Sequence, residues 1–157
     1  MKTRANKGFT LIELMIVIAI IAVIAAIAIP NLLRSRMSAN EAAAIGTIRT
    51  ISSAQQQFQA AAIIPFPSGM GQYAASVAVL GAQAPPFVDS SLATSDRQGY
   101  NFASVGGGPD GAPLFTAIAN PLAPGTSGGR AFYSDQSGVI TFVNGAGPAG
   151  PGNAVLQ

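Results

Sequence analysis

Cysteine and histidine are both absent from the 157 residues. Disulfides, thiolate chemistry, Cys/His zinc sites and any nucleophile–histidine pair are excluded with them. Charge is scarce too. Only 9% of residues are charged, against about 25% in soluble domains, so much of the chain does not meet water alone. The glycine run at 106–108 lacks the Lys-Ser/Thr of a phosphate-binding loop and reads as a turn. Asp89, Asp96, Asp110 and Asp135 have no EF-hand spacing and read first as turn residues. No catalytic constellation and no ATPase motif appears. A membrane-anchored enzyme is therefore disfavoured, and no cofactor is expected.

What is present is unevenly distributed. The length suits one domain plus an appendage. The net charge of +2 is carried by Lys2, Arg4 and Lys7, which precede an apolar run. Without them, five arginines (Arg34, Arg36, Arg49, Arg97, Arg130) face six acids. That near-neutral balance gives no support to nucleic-acid binding.

Residues 9–29 are apolar except for Thr10 and Glu13. As a helix they span about 31 Å, close to the hydrocarbon thickness of a bilayer. The basic residues before the run place its start on the cytoplasmic side and the remainder outside. An ordinary secretory signal would carry a shorter apolar stretch with a small-residue cleavage site after it. Ala25, Ala26 and Ala28 offer such a site, but the helical pattern continues past them. A plain membrane anchor is the other simple reading.

Glu13 separates these readings. A carboxylate at the centre of a membrane helix costs about 2.5–3.5 kcal/mol, and less near the interface. A plain anchor gains nothing from it. Its simplest role is to complement the helix amino-terminal dipole, worth about 0.3–1 kcal/mol. The alternative is pairing with a free amine, which cleavage between Gly8 and Phe9 would create one turn away, on an axially shifted neighbour.

The stretch Lys7-Gly8-Phe9-Thr10-Leu11-Ile12-Glu13-Leu14, with Pro30 at the end of the run, resembles the cleavage and methylation motif of type IV prepilins and type II secretion pseudopilins. The resemblance covers about residues 7–35. It implies a leader at 1–8, cleavage after Gly8 by the prepilin peptidase, and N-methylation of Phe9. It also implies that Glu13 neutralises a neighbour's amino-terminal charge, and that the chain assembles with itself into a helical homopolymer. An inner-membrane platform and a separate assembly ATPase are the implied partners. The implied product is an extracellular pilus serving adhesion, twitching motility or DNA uptake, built from a single-pass inner-membrane precursor. The alternative is a periplasmic type II secretion pseudopilus; only there is a head calcium ion, held by converging aspartates, an expectation. Many family members carry glycine where Ala22 stands here. Alanine is the better helix former by about 1 kcal/mol, so any melted segment should be shorter and nearer Pro30, the expected helix kink.

After the polymerisation helix (9–30), polar residues arrive. Leu33, Met37, Ala44, Ile48, Ile51, Gln55, Phe58 and Ala62 recur at helical spacing, the stripe of an amphipathic half-helix over 31–63. Gly46 weakens it by about 1 kcal/mol, and Pro65 and Pro67 end it near Ile63. Arg34, Arg36 and Glu41 are expected on a solvated face or in salt bridges between subunits. A connection over 64–98 contains a short helix or turn near 74–80. Over 99–143 four strands are expected: 99–105, 113–119, 130–134 and 139–143, the last two a hairpin around Asp135-Gln136-Ser137-Gly138. The aromatics there, Tyr100, Phe102, Phe115, Phe132, Tyr133 and Phe142, are expected mainly in packing. The predicted fold class is α+β: a long amino-terminal helix against an antiparallel sheet of about four strands, as in pilins. The Gly/Pro-rich tail, 144–157, is expected to be irregular or mobile, or to wrap onto the head or a neighbour.

Overall fold

The computed structural model describes residues 8–63, 72–92, 96–107, 114–145, 147 and 150–156. Lys2, Arg4, Lys7, Pro65, Pro67 and Asp110 lie outside these, as does most of the 106–111 turn. The chain divides into two units, Met1–Ser35 and Arg36–Gln157. Helix α1 (Leu11–Ala60) contributes to both.

In the first unit, residues 14–29 of α1 are apolar on every face, so no stripe sets a packing direction there. An 18-residue stretch reaches a mean hydropathy of 3.1, and none of it is buried. By length and composition it is able to cross a membrane. Helical conformation continues through Ala22 and Pro30, although proline gives no N–H to the carbonyl four residues earlier.

In the second unit α1 becomes amphipathic. Ala44, Ile48, Ile51, Gln55 and Phe58 are buried at three- and four-residue spacing, one face of a 3.6-residue repeat. Each large apolar side chain buried here contributes about 1.5–3 kcal/mol. The stripe is shorter than the spacing predicts, since Leu33 and Ala62 are exposed and Met37 is only half-buried. The helix also stops at Ala60 rather than near Ile63. Ala62 adopts a positive φ of 48°, and that left-handed conformation ends the helix locally.

The sheet is an antiparallel meander of six strands in chain order. They are β1 (Asp96–Arg97), β2 (Tyr100–Gly106), β3 (Phe115–Pro121), β4 (Arg130–Asp135), β5 (Ile140–Asn144) and β6 (Ala154–Val155). The four central strands are those expected, shifted by one or two residues. The two extra strands are edge pieces of two residues each, too short for any alternation to mark them. Along β3, Phe115, Ala117, Ala119 and Pro121 are buried while the residues between are half-buried. Phe115, Ala117 and Ala119 form one core with Tyr100, Phe102, Phe132 and the apolar residues of the α1 stripe. The short helix α2 (Val77–Gly81) adds Val77 and Leu80 to it.

The described part of the tail is irregular apart from β6, and it lies on the head. β6 pairs with β5 through Thr141↔Val155 and Phe142↔Ala154. Leu156 donates its N–H to the Ile140 carbonyl at 3.0 Å and packs against the core. The Thr141 hydroxyl donates to the Gly150 carbonyl at 2.9 Å. Backbone pairing, which demands no large side chain, holds a segment whose composition cannot build a core of its own.

Candidate functional site

The described residues around the predicted cleavage junction begin at Gly8, which is exposed with open space around it. Phe9 is exposed as well. Helix α1 starts two residues later, and its first turn holds a reciprocal cap. The Thr10 N–H donates to Glu13 Oε2 at 2.9 Å, and the Thr10 hydroxyl donates to the same oxygen at 2.6 Å. In return the Glu13 N–H donates to Thr10 Oγ1 at 3.3 Å. This is a capping box, in which Thr and the Glu three residues on satisfy each other's orphan donors. Thr10 is the residue that sequence reasoning missed. Its signal in the sequence is T-x-x-E at the start of an apolar run, where the intramembrane charge of Glu13 has a functional reading of its own. Within one chain the carboxylate is thus occupied locally, and it sits where the helix dipole favours a negative charge. A carboxylate oriented by two donors is also an exposed acceptor for a further cation.

A second polar constellation binds the helix to its head within the second unit. The Asn40 side-chain amide donates to the Ser127 carbonyl at 2.8 Å. Glu41 Oε1 accepts the Gly129 N–H at 2.8 Å, while Oε2 accepts Arg130 Nε and Nη2 at 2.9 and 2.8 Å. The Arg130 guanidinium also lies over the rings of Phe132 and Phe142, at 5.6 and 5.2 Å from their centroids. Glu41 is therefore neither solvated nor reserved for another subunit, as the sequence suggested; its cation stands 89 residues away in the same chain. Arg34 and Arg36 are exposed, and among the described residues Glu41–Arg130 is the ion pair that forms.

The loop at this latch comes very close to the sheet. A side chain at Gly128 would collide with the Tyr100 ring, so glycine is required by the close approach. The Tyr100 hydroxyl donates to the Arg130 carbonyl at 2.8 Å. Burial, with the nearby Glu41 charge, pushes Tyr100 up to about 12. Further along α1, buried Gln55 accepts the Ala74 N–H at 2.8 Å and donates to the Ala74 carbonyl at 3.0 Å and to Ser104 Oγ at 2.9 Å. Gly106 packs its backbone directly on Ala74.

The aspartates do not converge among the described residues, where no group of three potential metal ligands forms. Asp89 and Asp135 instead cap their own turns, accepting the N–H groups of Ser91 and Ser137 at 2.8 and 2.9 Å. The aromatics pack: Tyr73 on Phe115 and Tyr100 on Phe132, with ring centroids 4.8 and 6.0 Å apart.

Residues 3–29 match the family described as the prokaryotic N-terminal methylation motif. The chain carries this motif on a pilin-like α+β fold. It is 47% identical over 53 residues to the type IV major pilin protein PilA of Myxococcus xanthus, covering 34% of this chain and 24% of that one. It is 43% identical over 56 residues to the type IV wide pilus major component PilA4 of Thermus thermophilus, covering 36% of this chain and 43% of that one. The chain thus spans less than half the length of either relative. Both names describe pilus components, and neither describes an enzyme. No solved structure matches the chain. The methylation motif contains Gly8, Phe9, Thr10 and Glu13, so the capping box lies inside the matched segment.

Proposed function

We propose that this chain is the structural subunit of a type IV pilus. Cleavage after Gly8 would free the Phe9 amine for N-methylation and strip Lys2, Arg4 and Lys7, all of which precede it. The carrying observation is the methylation motif at 3–29 joined to a helix whose apolar side chains stay exposed from Phe9 to Leu33. So large an apolar surface requires a bilayer or a polymer around it. The precursor would sit in the inner membrane by this helix, and a platform and an assembly ATPase would draw it into a homopolymer. There Glu13 would answer the Phe9 amine of a neighbour. Pro30 would be the weak point at which the helix loosens, with Ala22 keeping the segment before it helical. The resulting fibre would serve adhesion, twitching motility or DNA uptake. Similarity to two pilus components favours the pilus over the type II pseudopilus.

The test is electron microscopy of surface-sheared material with mass spectrometry of the chain's amino terminus. Fibres whose subunit begins at N-methylated Phe9 are expected. Fibres without this chain, or a chain still carrying Met1, would refute the assignment. A bulky residue in place of Gly8 should leave membrane-held precursor and no fibre.

A further inference from the structure

Helix α1 lies on the sheet with an open groove on either side of its buried stripe. At 100° per residue, positions 49, 52, 53 and 56 fall on one flank and 43, 46, 47 and 50 on the other. The first groove, about 330 Å³, is lined by Arg49, Ser52, Ser53, Gln56 and Ser134 among others. Arg49 is exposed and forms no ion pair with the described acids. The second groove, about 360 Å³, is lined by Ala43, Gly46, Thr47, Thr50, Asp89 and Arg97 among others. Asp89 is exposed, and one of its oxygens is fixed by the Ser91 N–H at 2.8 Å. Arg97 borders the same groove and turns to the Ser91 hydroxyl at 3.4 Å. Arg97 attracts the Asp89 charge without closing an ion pair on it, while Asp96, next in β1, accepts from the Asn101 side-chain amide at 2.6 Å.

Gly46 gives the second groove a further peculiarity. Glycine in a helix interior weakens the helix, and a side chain there would meet nothing within 4 Å. Among the described residues, packing within the chain does not call for it. Small residues along a helix flank allow another backbone to come close.

We propose that the Arg49 groove of one copy receives the Asp89 corner of the next, so that Arg49 and Asp89 pair across the contact between neighbouring subunits. The inference deepens the filament reading and rests on it. Two different surfaces of the same chain meet, which makes the contact heterologous. Such a contact repeats without closing and generates an open screw-symmetric polymer. Asp135 is the wrong acid for this role, because it caps the β4–β5 turn beside the Arg49 groove itself.

The test reverses each charge in the full chain, in cells that assemble it. Arg49→Glu and Asp89→Arg should each lower the yield of sheared filaments about tenfold or more, since like charges then face each other. Co-expression of the two variant chains should restore the yield to within about threefold of wild type, because alternating copies again pair unlike charges at every contact. Wild-type yields from the single variants, or co-expression no better than either variant alone, would overturn the pairing while leaving the filament reading intact. Absence of the unaltered chain from fibres would sink the filament reading and this contact together. Where a reversal lowers the level of membrane-held precursor, the milder variants Arg49→Gln and Asp89→Asn serve instead. Each should cost about threefold in yield, and no loss from either would count against the contact.

Discussion

Replacing Gln55 by leucine would test how the head is held on its helix. Gln55 is fully buried, and its amide takes both the N–H and the carbonyl of Ala74 while reaching the Ser104 hydroxyl. Leucine approximates its volume and can make none of these bonds. Two backbone groups and a hydroxyl would lose partners in a closed site, where each unsatisfied group costs about 1–3 kcal/mol. The better burial of leucine would return about 1–2 kcal/mol. A net loss of about 2–7 kcal/mol follows, lowering the melting temperature by about 4–28 °C for a chain of this size. The assay is thermal unfolding in detergent together with amide hydrogen exchange, and the Ala74 N–H should lose its protection. Gln57→Leu, at an exposed position two residues on and about 200° round the helix, should stay within about 0.5 kcal/mol of wild type. A Gln55→Leu chain as stable as wild type, with Ala74 still protected, would refute the reasoning.

Thr10→Val and Glu13→Ala separate a cap from an assembly charge. Both remove the capping box at about 1 kcal/mol, but only the second removes the carboxylate, so filament yield should collapse for Glu13→Ala alone; equal yields would leave Glu13 as a cap. Arg130→Ala strips Glu41 of its cation and uncovers Phe132 and Phe142. Because the Arg130 side chain is 34% exposed, the expected loss is about 2 kcal/mol rather than the 3–5 of a fully buried pair, measured by thermal unfolding, with Arg130→Lys recovering only part. Tyr100 titrates above its ordinary value of 10, at about 12 when folded. The unfolded chain loses that proton first, so this contribution to stability is intact below pH about 10 and disappears as the pH rises toward 12. Tyrosinate absorbance of the native protein, compared with the unfolded chain, reads this directly.

The legible parts of the fold were those governed by local pattern. Ile48, Ile51 and Phe58 declare a helix face because 3.6-residue spacing survives any tertiary context, and Phe115, Ala117 and Ala119 declare a strand by alternation. The strands β1 and β6 were illegible, because two residues carry no period and their pairing depends on an edge already built. Spacing makes Gln55 one position of an apolar stripe; its task is to satisfy the backbone of Ala74, which lies 19 residues away. Of the site, Gly8, Phe9 and Glu13 could be named from residue type and order. The bond between Thr10 and Glu13 was available as a motif and was overshadowed by the charge.

By itself the sequence determined what depends on order and composition: a basic start, a Gly–Phe junction, one acid at the head of an apolar helix, and a second half-helix with one greasy face. These need no distant partner, because hydrophobic length and helical period act on neighbouring residues. The tertiary structure alone decided where the scarce charges went. It closed Glu41 on Arg130 across 89 residues, brought the tail back as a sixth strand, and left Arg49 and Asp89 beside different grooves and outside any ion pair among the described residues. Such pairings depend on which loops the folded sheet brings to the helix, and a charge carries no mark in the sequence of the distant partner it will meet.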